Sequence, residues 1–98
     1  MFCPVRSGKF KKDYKLCIKR NYDIELIDNA IIILCKTGTL PSEYFPHPLK
    51  GNYDGYFEAH IQSDWLIIWY IDLNDKTPDF EGSLNLVRTG THSDLFKK

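Results

Sequence analysis

The residue types best suited to acid–base chemistry in this 98-residue chain are three histidines, His47, His60 and His92. Arg88 and Phe96 stand four residues before and four residues after the last of them, in the segment VRTGTHSDLF. Histidine exchanges protons near neutral pH, since its ordinary pKa is about 6.5. Arginine offers a planar fork for phosphate oxygens, and an aromatic ring stacks on an unpaired base. The set therefore suits cleavage of RNA at its own 2′-hydroxyl, which needs a base, a cation and an acid but no metal.

Each of these residues also has a plainer interpretation. A single histidine is more often a satisfied or an exposed side chain than a catalytic one, and Arg88 can simply pair with acidic surface groups. Zinc is a further alternative, because three histidines and Asp64 are ligand types for that metal. The histidines are separated by 13 and 32 residues, and these separations match no local zinc motif. The catalytic interpretation depends on a fold that brings the side chains together.

The first part of the chain has helical patterns. Residues 2–6 are typical of a short edge strand, limited by Pro4. Ser7 is a predicted N-cap for a helix that ends near Asn21, and Asp23 caps a second helix that ends at Gly38. Both helices carry apolar stripes at helical spacing, Phe10, Tyr14, Cys17 and Ile18 in the first and Ile24, Ile27, Ile31 and Leu34 in the second. The pattern predicts a helical hairpin.

The remainder of the chain is predicted to be an ordered loop followed by strands. The loop is LPSEYFPHPLKGNYDGY, and the strands are YFEAHI, WLIIWYIDL and SLNLVR. Short links favour an antiparallel meander, and the apolar run 65–71 is typical of a strand covered on both faces. The predicted fold is therefore α+β: an N-terminal strand and a helical hairpin packed on an antiparallel sheet, in one domain spanning residues 1–98.

A meander brings the ends of alternate connections to one end of the sheet. The turn at Ser63 then lies at the same end as the exit of the chain after Arg88. We therefore expect His60, Asp64, Arg88 and His92 to converge on one rim, which His47 reaches from the loop.

Charge is unevenly distributed although the formal net charge is zero. The first twenty residues hold seven basic residues and one acidic residue, a net +6, and the remaining chain carries −6. This asymmetry favours either a polyanionic or acidic partner or a solvated helix face.

The cysteines, Cys3, Cys17 and Cys35, are odd in number and lack a CxxC spacing, so we expect reduced thiols, with Cys17 and Cys35 in the core. No run has the length of a membrane span or a signal peptide, which predicts a cytoplasmic protein with no membrane partner.

Three motifs in the right order resemble the YafQ group of the RelE/ParE toxin superfamily. The first is LP-x-x-Y-x-x-H-x-L-x-G from Leu40 to Gly51. The second is AHIQSDWLIIWY from Ala59 to Tyr70, and the third is R-x-G-x-H-x-x-L-F from Arg88 to Phe96. The resemblance implies a RelE-like microbial ribonuclease fold. It also implies a toxin that enters the ribosomal A site and cuts mRNA there.

The resemblance further implies a set of site residues. The catalytic set carried over by position is His47, His60, Asp64, Arg88, His92 and Phe96. Within this set we assign His60 and His47 to the general-base side and His92 to protonation of the leaving oxygen, although which histidine is base and which is acid stays open. Asp64 is assigned to orienting a histidine or the 2′-hydroxyl, and Arg88 to stabilising the phosphorane. Phe96 is assigned to stacking on a nucleobase. RNA or ribosome contacts are expected at Trp65, Lys9, Lys11, Lys12, Lys15, Lys19, Arg20 and Lys50. No metal or other cofactor is expected.

The partners implied by the resemblance are the ribosome with its rRNA, the mRNA, and a cognate antitoxin, either DinJ-like or another DNA-binding antitoxin. Operator DNA is expected to be bound only through the antitoxin complex. Three features depart from the family: Phe57 where relatives commonly carry arginine, the neutral net charge, and the acidic connection DLNDKTPDFEG. Two alternatives remain open. One is a weak or inactive relative that serves as an antitoxin-binding module or a ParE-like gyrase inhibitor, and the other is a metal-dependent hydrolase.

Overall fold

A computed structural model describes residues 1–96; Lys97 and Lys98, the last two residues of the predicted domain, lie outside it. Five strands form one sheet in the order β1-β5-β4-β3-β2. The elements in chain order are β1 (Phe2–Arg6), α1 (Gly8–Lys19), α2 (Ile24–Thr37), β2 (His47–Pro48), β3 (Phe57–Gln62), β4 (Trp65–Asp72), β5 (Gly82–Gly90) and α3 (His92–Leu95). Two 3₁₀ turns, Ser42–Tyr44 and Gly51–Tyr53, shape the proline-rich loop. The predicted α+β class is confirmed.

The helix ends follow the predicted caps. The Ser7 side chain accepts a hydrogen bond from the Phe10 amide at 2.9 Å, and the Asp23 carboxylate accepts one from the Glu25 amide at 3.2 Å. Gly38 ends α2 in the left-handed conformation with φ of 78°, which glycine adopts without a Cβ penalty. These side chains satisfy amide groups that have no partner within the helix, so local sequence decides where both helices begin.

Three of the four residues of the predicted apolar stripe on α1 pack in or against the core, and one does not. Phe10 and Cys17 lie in the core, and burial raises the pKa of the Cys17 thiol to about 11. Ile18 was predicted on the same stripe, but it is 51% exposed, so that assignment is wrong. A residue next to Cys17 is turned by about 100° around the helix, and the contact face of α1 is too narrow to include it.

The antiparallel meander is confirmed for β3 to β5, whereas the short β2, which pairs antiparallel with β3, lies within the predicted loop, and the first strand differs from the prediction. β1 pairs with β5 in parallel, with Phe2 opposite Gly82 and Arg6 opposite Leu86. The sheet is therefore mixed. Neighbourhood in the chain predicts only pairs between successive strands, whereas β1 and β5 lie at opposite ends of the sequence.

The central strand β4 is covered on both faces, as its apolar run predicted. On one face α1 and α2 enclose the main core, which includes Ile67 and Trp69. On the other face Leu66 and Ile68 pack with Leu95 of α3, which forms a smaller second core. The part of this second face that α3 leaves uncovered is called the open face below.

A buried polar contact ties β4 to β5 inside the main core. The indole Nε1 of Trp65 donates to Thr89 Oγ1 at 3.0 Å, and that hydroxyl donates to the Leu66 carbonyl oxygen at 2.7 Å. Trp65 is 2% exposed and packs against Tyr22, with their ring centroids 4.8 Å apart. Trp65 therefore cannot contact RNA or the ribosome directly, and its predicted place among those contacts is wrong. Its apolar ring is held in the core through a satisfied N–H group.

Thr89→Val tests this buried contact, because valine keeps the shape of threonine but removes its hydroxyl. We expect the free energy of unfolding to fall by roughly 2–4 kcal/mol, since the Trp65 N–H and the Leu66 carbonyl both lose a buried partner. Urea unfolding measures this change. The matched control is Thr39→Val at an exposed position, expected to stay within about 0.5 kcal/mol of the unmodified protein. Equal effects of the two substitutions would contradict the assignment.

Candidate active site

The predicted site residues occupy a row and a turn on the open face. His47 lies opposite Glu58, Glu58 opposite Ile68, and Ile68 opposite Arg88. Side chains of directly opposite residues point to the same side of an antiparallel sheet, so these four positions share one face. His60 follows Glu58 by two residues and lies on this face as well. The register alone brings His47, His60 and Arg88 to the open face.

Asp64 and His92 are joined by two hydrogen bonds to a single carboxylate oxygen. Asp64 Oδ1 accepts from the His92 backbone amide at 3.0 Å and lies 2.6 Å from His92 Nδ1. These bonds, first the one from the backbone amide and then the one from the ring, lower the pKa of Asp64 below its usual value. A carboxylate accepts, so Nδ1 carries the proton, and Nε2 of His92 has no hydrogen-bond partner among residues 1–96. The predicted pairing of Asp64 with a histidine therefore matches the geometry.

The turn before His92 is fixed by a small network. Thr91 Oγ1 accepts from the Asp94 amide at 3.1 Å, and Asp94 Oδ2 accepts from the Thr91 amide at 2.9 Å, which makes a capping box. Arg20 donates to both Asp94 oxygens, at 2.7 and 3.1 Å, and the pKa of Asp94 is lowered by this arginine. Gly90 is needed here because its φ is 151° and a Cβ would lie 2.9 Å from Asp94 Oδ2. The network sets the direction in which His92 leaves β5.

His60 lies beside His92 with a different partner. Its Nδ1 is 3.3 Å from the carbonyl oxygen of Ser63, in the turn between β3 and β4. A carbonyl oxygen only accepts, so this contact places the proton on Nδ1 and leaves the Nε2 lone pair available. The ring centroids of His60 and His92 are 6.0 Å apart. Two imidazoles therefore lie side by side with different hydrogen-bond partners at Nδ1.

Arg88 is held by a residue that the sequence analysis did not select. Asp13 of α1 accepts from Arg88 Nε at 2.7 Å and from Nη2 at 3.1 Å, and it also accepts from the Thr89 amide at 3.2 Å. The hydrogen bond to Asp13 raises the pKa of the Arg88 guanidinium. The signal for Asp13 in the sequence was its position as the single acid among the first twenty residues. Among residues 1–96, Nη1 of Arg88 has no protein acceptor and faces an open cleft of about 760 Å³.

His47 is engaged at both ring nitrogens. Nε2 lies 3.2 Å from Glu58 Oε1, and Nδ1 lies 3.0 Å from the Phe45 carbonyl oxygen. Both neighbours are acceptors, so both nitrogens are placed to donate, as in a protonated ring. Glu58 is only 5% exposed and was not selected from the sequence, where it looked like an ordinary strand residue. The predicted use of His47 as a base does not fit this geometry.

Phe96 lies at the margin of the cleft. It is 38% exposed, and its ring centroid is 6.4 Å from that of His92 and 5.9 Å from that of Tyr53. The cleft that it lines also contains Arg88 and His92. The structure therefore brings together His60, Asp64, Arg88, His92 and Phe96, while His47 stands one strand further out with Glu58.

The predicted RNA contacts differ in their surroundings. Lysines on α1 and in the loop are exposed, namely Lys9, Lys11, Lys12, Lys15, Lys19 and Lys50. Arg20 differs because its guanidinium is occupied by Asp94, so it serves first as a tether between α1 and α3.

Within residues 1–96, no three His, Cys, Asp or Glu side chains are grouped to hold a metal ion. No helix in the same range is long and apolar enough to cross a membrane.

A small α+β protein that gathers two histidines, an arginine and an exposed aromatic ring over one sheet face has a site suited to phosphodiester chemistry. The family model described as a bacterial toxin of type II toxin-antitoxin systems, YafQ, matches residues 4–97. The chain therefore belongs to the YafQ family of type II toxins.

Individual relatives agree with this family. The chain is 41% identical over 91 residues to the mRNA interferase toxin YafQ of Escherichia coli K12, covering 92% of this chain and 90% of the relative. It is similar to YafQ in the crystal structure of the E. coli DinJ-YafQ complex, with a TM-score of 0.79, 35% identity and coverage of 98% and 99%. It is also similar to a metal-bound toxin from Helicobacter pylori, with a TM-score of 0.84, 34% identity and coverage of 98% and 100%.

The Asp64–His92 contact has a defined response to acid. Because the folded-state pKa of Asp64 lies below its unfolded-state value, the contact contributes stability above the ordinary aspartate range. That contribution is lost as pH falls through the lowered pKa. We expect the His92 backbone amide to show an NMR shift change with a midpoint below about 3.9, the ordinary aspartate value. A midpoint at or above that value, or the same change in Asp64→Asn, would contradict the contact.

Proposed function

We propose that this chain is a ribosome-dependent mRNA endonuclease of a type II toxin-antitoxin system. It cuts mRNA in the ribosomal A site by attack of the 2′-hydroxyl on the adjacent phosphorus, inhibits translation, and needs no metal for the chemical step. The observation that carries this proposal is the pair of imidazoles whose ring centroids are 6.0 Å apart, each with Nδ1 against an acceptor and Nε2 without a hydrogen-bond partner among residues 1–96. The E. coli relative is named as an mRNA interferase, which supports the same activity.

In this reaction His60 acts as the general base. Its Nδ1 is directed at the neutral carbonyl oxygen of Ser63, so the neutral ring presents the Nε2 lone pair. This lone pair takes the proton of the 2′-hydroxyl as the oxygen bonds to phosphorus. A neutral acceptor behind the ring fixes its tautomer without adding a negative charge.

His92 acts as the general acid. Its Nδ1 lies 2.6 Å from a carboxylate that stabilises the protonated ring, as an aspartate does behind a catalytic histidine. The Nε2 proton passes to the 5′-oxygen as its bond to phosphorus breaks. The products are a 2′,3′-cyclic phosphate and a 5′-hydroxyl, so one proton enters at His60 and one leaves from His92.

Arg88 stabilises the charge on the phosphorane between these two steps. Asp13 holds the Nε and Nη2 edge of the guanidinium, so the group is fixed in direction while Nη1 stays available for a phosphate oxygen. Phe96 positions a base beside His92 by stacking. His47 remains in the proposal as a positioning residue beside the site rather than as a base, because Glu58 and Phe45 occupy both of its nitrogens.

Attraction to rRNA is assigned to α1. Its exposed lysines concentrate positive charge in a chain whose net charge is zero, so ribosome binding depends on this one element. The partner that restrains the toxin is a cognate antitoxin, as in the E. coli complex of DinJ with YafQ. Operator DNA is bound through that antitoxin. Because the total charge is neutral, we expect weaker electrostatic attraction to rRNA than for a basic toxin. Phe57, which stands where relatives commonly carry arginine, stacks on Trp69 on the sheet face opposite His60.

Induced expression tests the proposed activity. We expect growth arrest and cleaved mRNA with the unmodified chain, and loss of both with His92→Ala or Arg88→Ala. Loss of an acid group lowers the cleavage rate by roughly 10²–10⁴-fold. Both variants should still bind the antitoxin and give a native circular dichroism spectrum, which serves as the folding control. Undiminished arrest in both variants would refute the catalytic assignment, and intact mRNA with impaired DNA supercoiling would favour a gyrase inhibitor.

A modified substrate separates the acid from the base. We use ribosomes programmed with mRNA in which sulfur replaces the 5′-oxygen at the cleavage site, because a thiolate leaves without being protonated. His92→Ala should then cleave at close to the rate of the unmodified enzyme, while His60→Ala stays impaired by roughly 10²-fold or more. The same variants on ordinary mRNA are the control. Rescue of His60→Ala instead of His92→Ala would reverse the two roles.

A further inference from the structure

Phe45 is exposed beside the proposed active site in an unusual backbone conformation. Its side chain is 70% exposed, the largest exposed fraction among the large apolar residues within 1–96. Its φ and ψ are both 51°, a left-handed conformation that non-glycine residues rarely adopt. The amide of Phe45 donates to the Ser42 carbonyl oxygen at 2.9 Å, so the turn holds this conformation. An aromatic ring is thus kept in solvent by an ordered turn.

The surroundings connect Phe45 with the histidines. Its ring centroid is 6.1 Å from that of His60, edge to face, and its carbonyl oxygen accepts from His47. The next rings along the open face are His92, 6.0 Å from His60, and Phe96, 6.4 Å from His92. Phe45 and Phe96 therefore stand at the two ends of a row whose middle is the pair of imidazoles.

A second cleft lies next to Phe45. It has a volume of about 350 Å³ and is lined by Phe45, Glu43, His60, Ile61, Gln62 and Ser63. The Gln62 amide offers both donors and an acceptor, and the Glu43 carboxylate offers acceptors. An aromatic surface beside such groups is the combination that binds an unpaired nucleobase, through its face and its edge. This cleft is separate from the one lined by Phe96 and Arg88.

We propose that Phe45 is a second base-stacking residue, which holds the nucleotide on the side of the scissile phosphate opposite the one stacked by Phe96. This inference rests on the proposed function, because it takes the phosphate to lie between His60 and His92. The two phenylalanines then stack on the nucleobases that flank the scissile phosphate, so that the 2′-hydroxyl and the phosphate between them face the histidines. Gln62 and Glu43 make this second cleft the place where the identity of the flanking base is read.

The test is a double-mutant cycle in which one change is made in the protein and the other in the mRNA. Ribosomes are programmed with mRNA that is intact or has an abasic nucleotide on one or the other side of the cleavage site, and single-turnover cleavage is measured at subsaturating toxin. On intact mRNA we expect Phe45→Ala to reduce kcat/KM by on the order of 10-fold, the effect of losing one stacked base. At one flanking position the abasic nucleotide should slow the unmodified enzyme equally, and Phe45→Ala should add no further loss there.

Controls separate stacking from folding. Phe45→Trp should keep the unmodified rate, and Phe57→Ala removes a 41% exposed ring from the opposite face of the sheet and should leave the rate unchanged. The melting temperature of Phe45→Ala should equal that of the unmodified protein. Unchanged cleavage by Phe45→Ala, or a loss that persists in full with abasic nucleotides at both flanking positions, would overturn the proposal. Weaker antitoxin binding with unchanged cleavage would likewise overturn it, in favour of a protein contact. If the unmodified enzyme leaves intact mRNA uncut on the ribosome, the proposed function fails instead.

Discussion

One extra residue in β5 decides which side of the sheet carries the arginine. Trp69 lies opposite Leu86, but the next residue of β4, Ile68, lies opposite Arg88, so Val87 has no partner of its own. In a regular ladder Arg88 would stand opposite Ile67 and point into the helix-covered core. The bulge shifts Arg88 to the open face and puts Thr89 opposite Ile67, where its hydroxyl satisfies Trp65. A single backbone irregularity thus supplies both the cation of the site and the buried hydrogen bond that joins the two central strands.

On the open face the Arg88 guanidinium needs a hydrogen-bond acceptor. This acceptor lies at the edge of the sheet, beyond the end of β1. β1 ends opposite Leu86, so the following residues of β5 have no strand on that side. Side chains from α1 and its cap replace the missing strand: Ser7 Oγ donates to the Val87 carbonyl oxygen, and Asp13 accepts from the Thr89 amide. The same Asp13 carboxylate holds the guanidinium, whose side chain is only 20% exposed. A guanidinium withdrawn from water this far needs a carboxylate partner. The helix, the strand edge and the proposed phosphate-binding group are therefore coupled through one acid.

The sequence predicted the features that depend on local chemistry. The helices begin after Ser7 and Asp23, and α2 ends at Gly38, as expected, because caps are decided by interactions within a few residues. It did not predict the parallel pairing of β1, the bulge at Val87, or the pairings of Asp13 and Glu58. These depend on contacts between distant parts of the chain, and the regular alternation of LNLVR would place Arg88 on the core face with Leu84 and Leu86. Trp65 was misassigned for a related reason: an aromatic residue next to Asp64 is compatible with surface or core until the face of its strand is known.

The different roles proposed for His60 and His92 depend on contacts that their spacing in the sequence cannot reveal. Nε2 of neither ring has a hydrogen-bond partner among residues 1–96, so the proposed difference in their chemistry comes from what lies behind Nδ1. Behind His60 is the Ser63 carbonyl, placed by the turn after β3, and this neutral acceptor holds a proton on Nδ1. Behind His92 is the Asp64 carboxylate, which also binds the His92 amide and so ties the ring to its own backbone. The acidic partner is one residue beyond Ser63 in the same turn. The turn after β3 therefore supplies both orienting groups, and its conformation distinguishes the proposed base from the proposed acid.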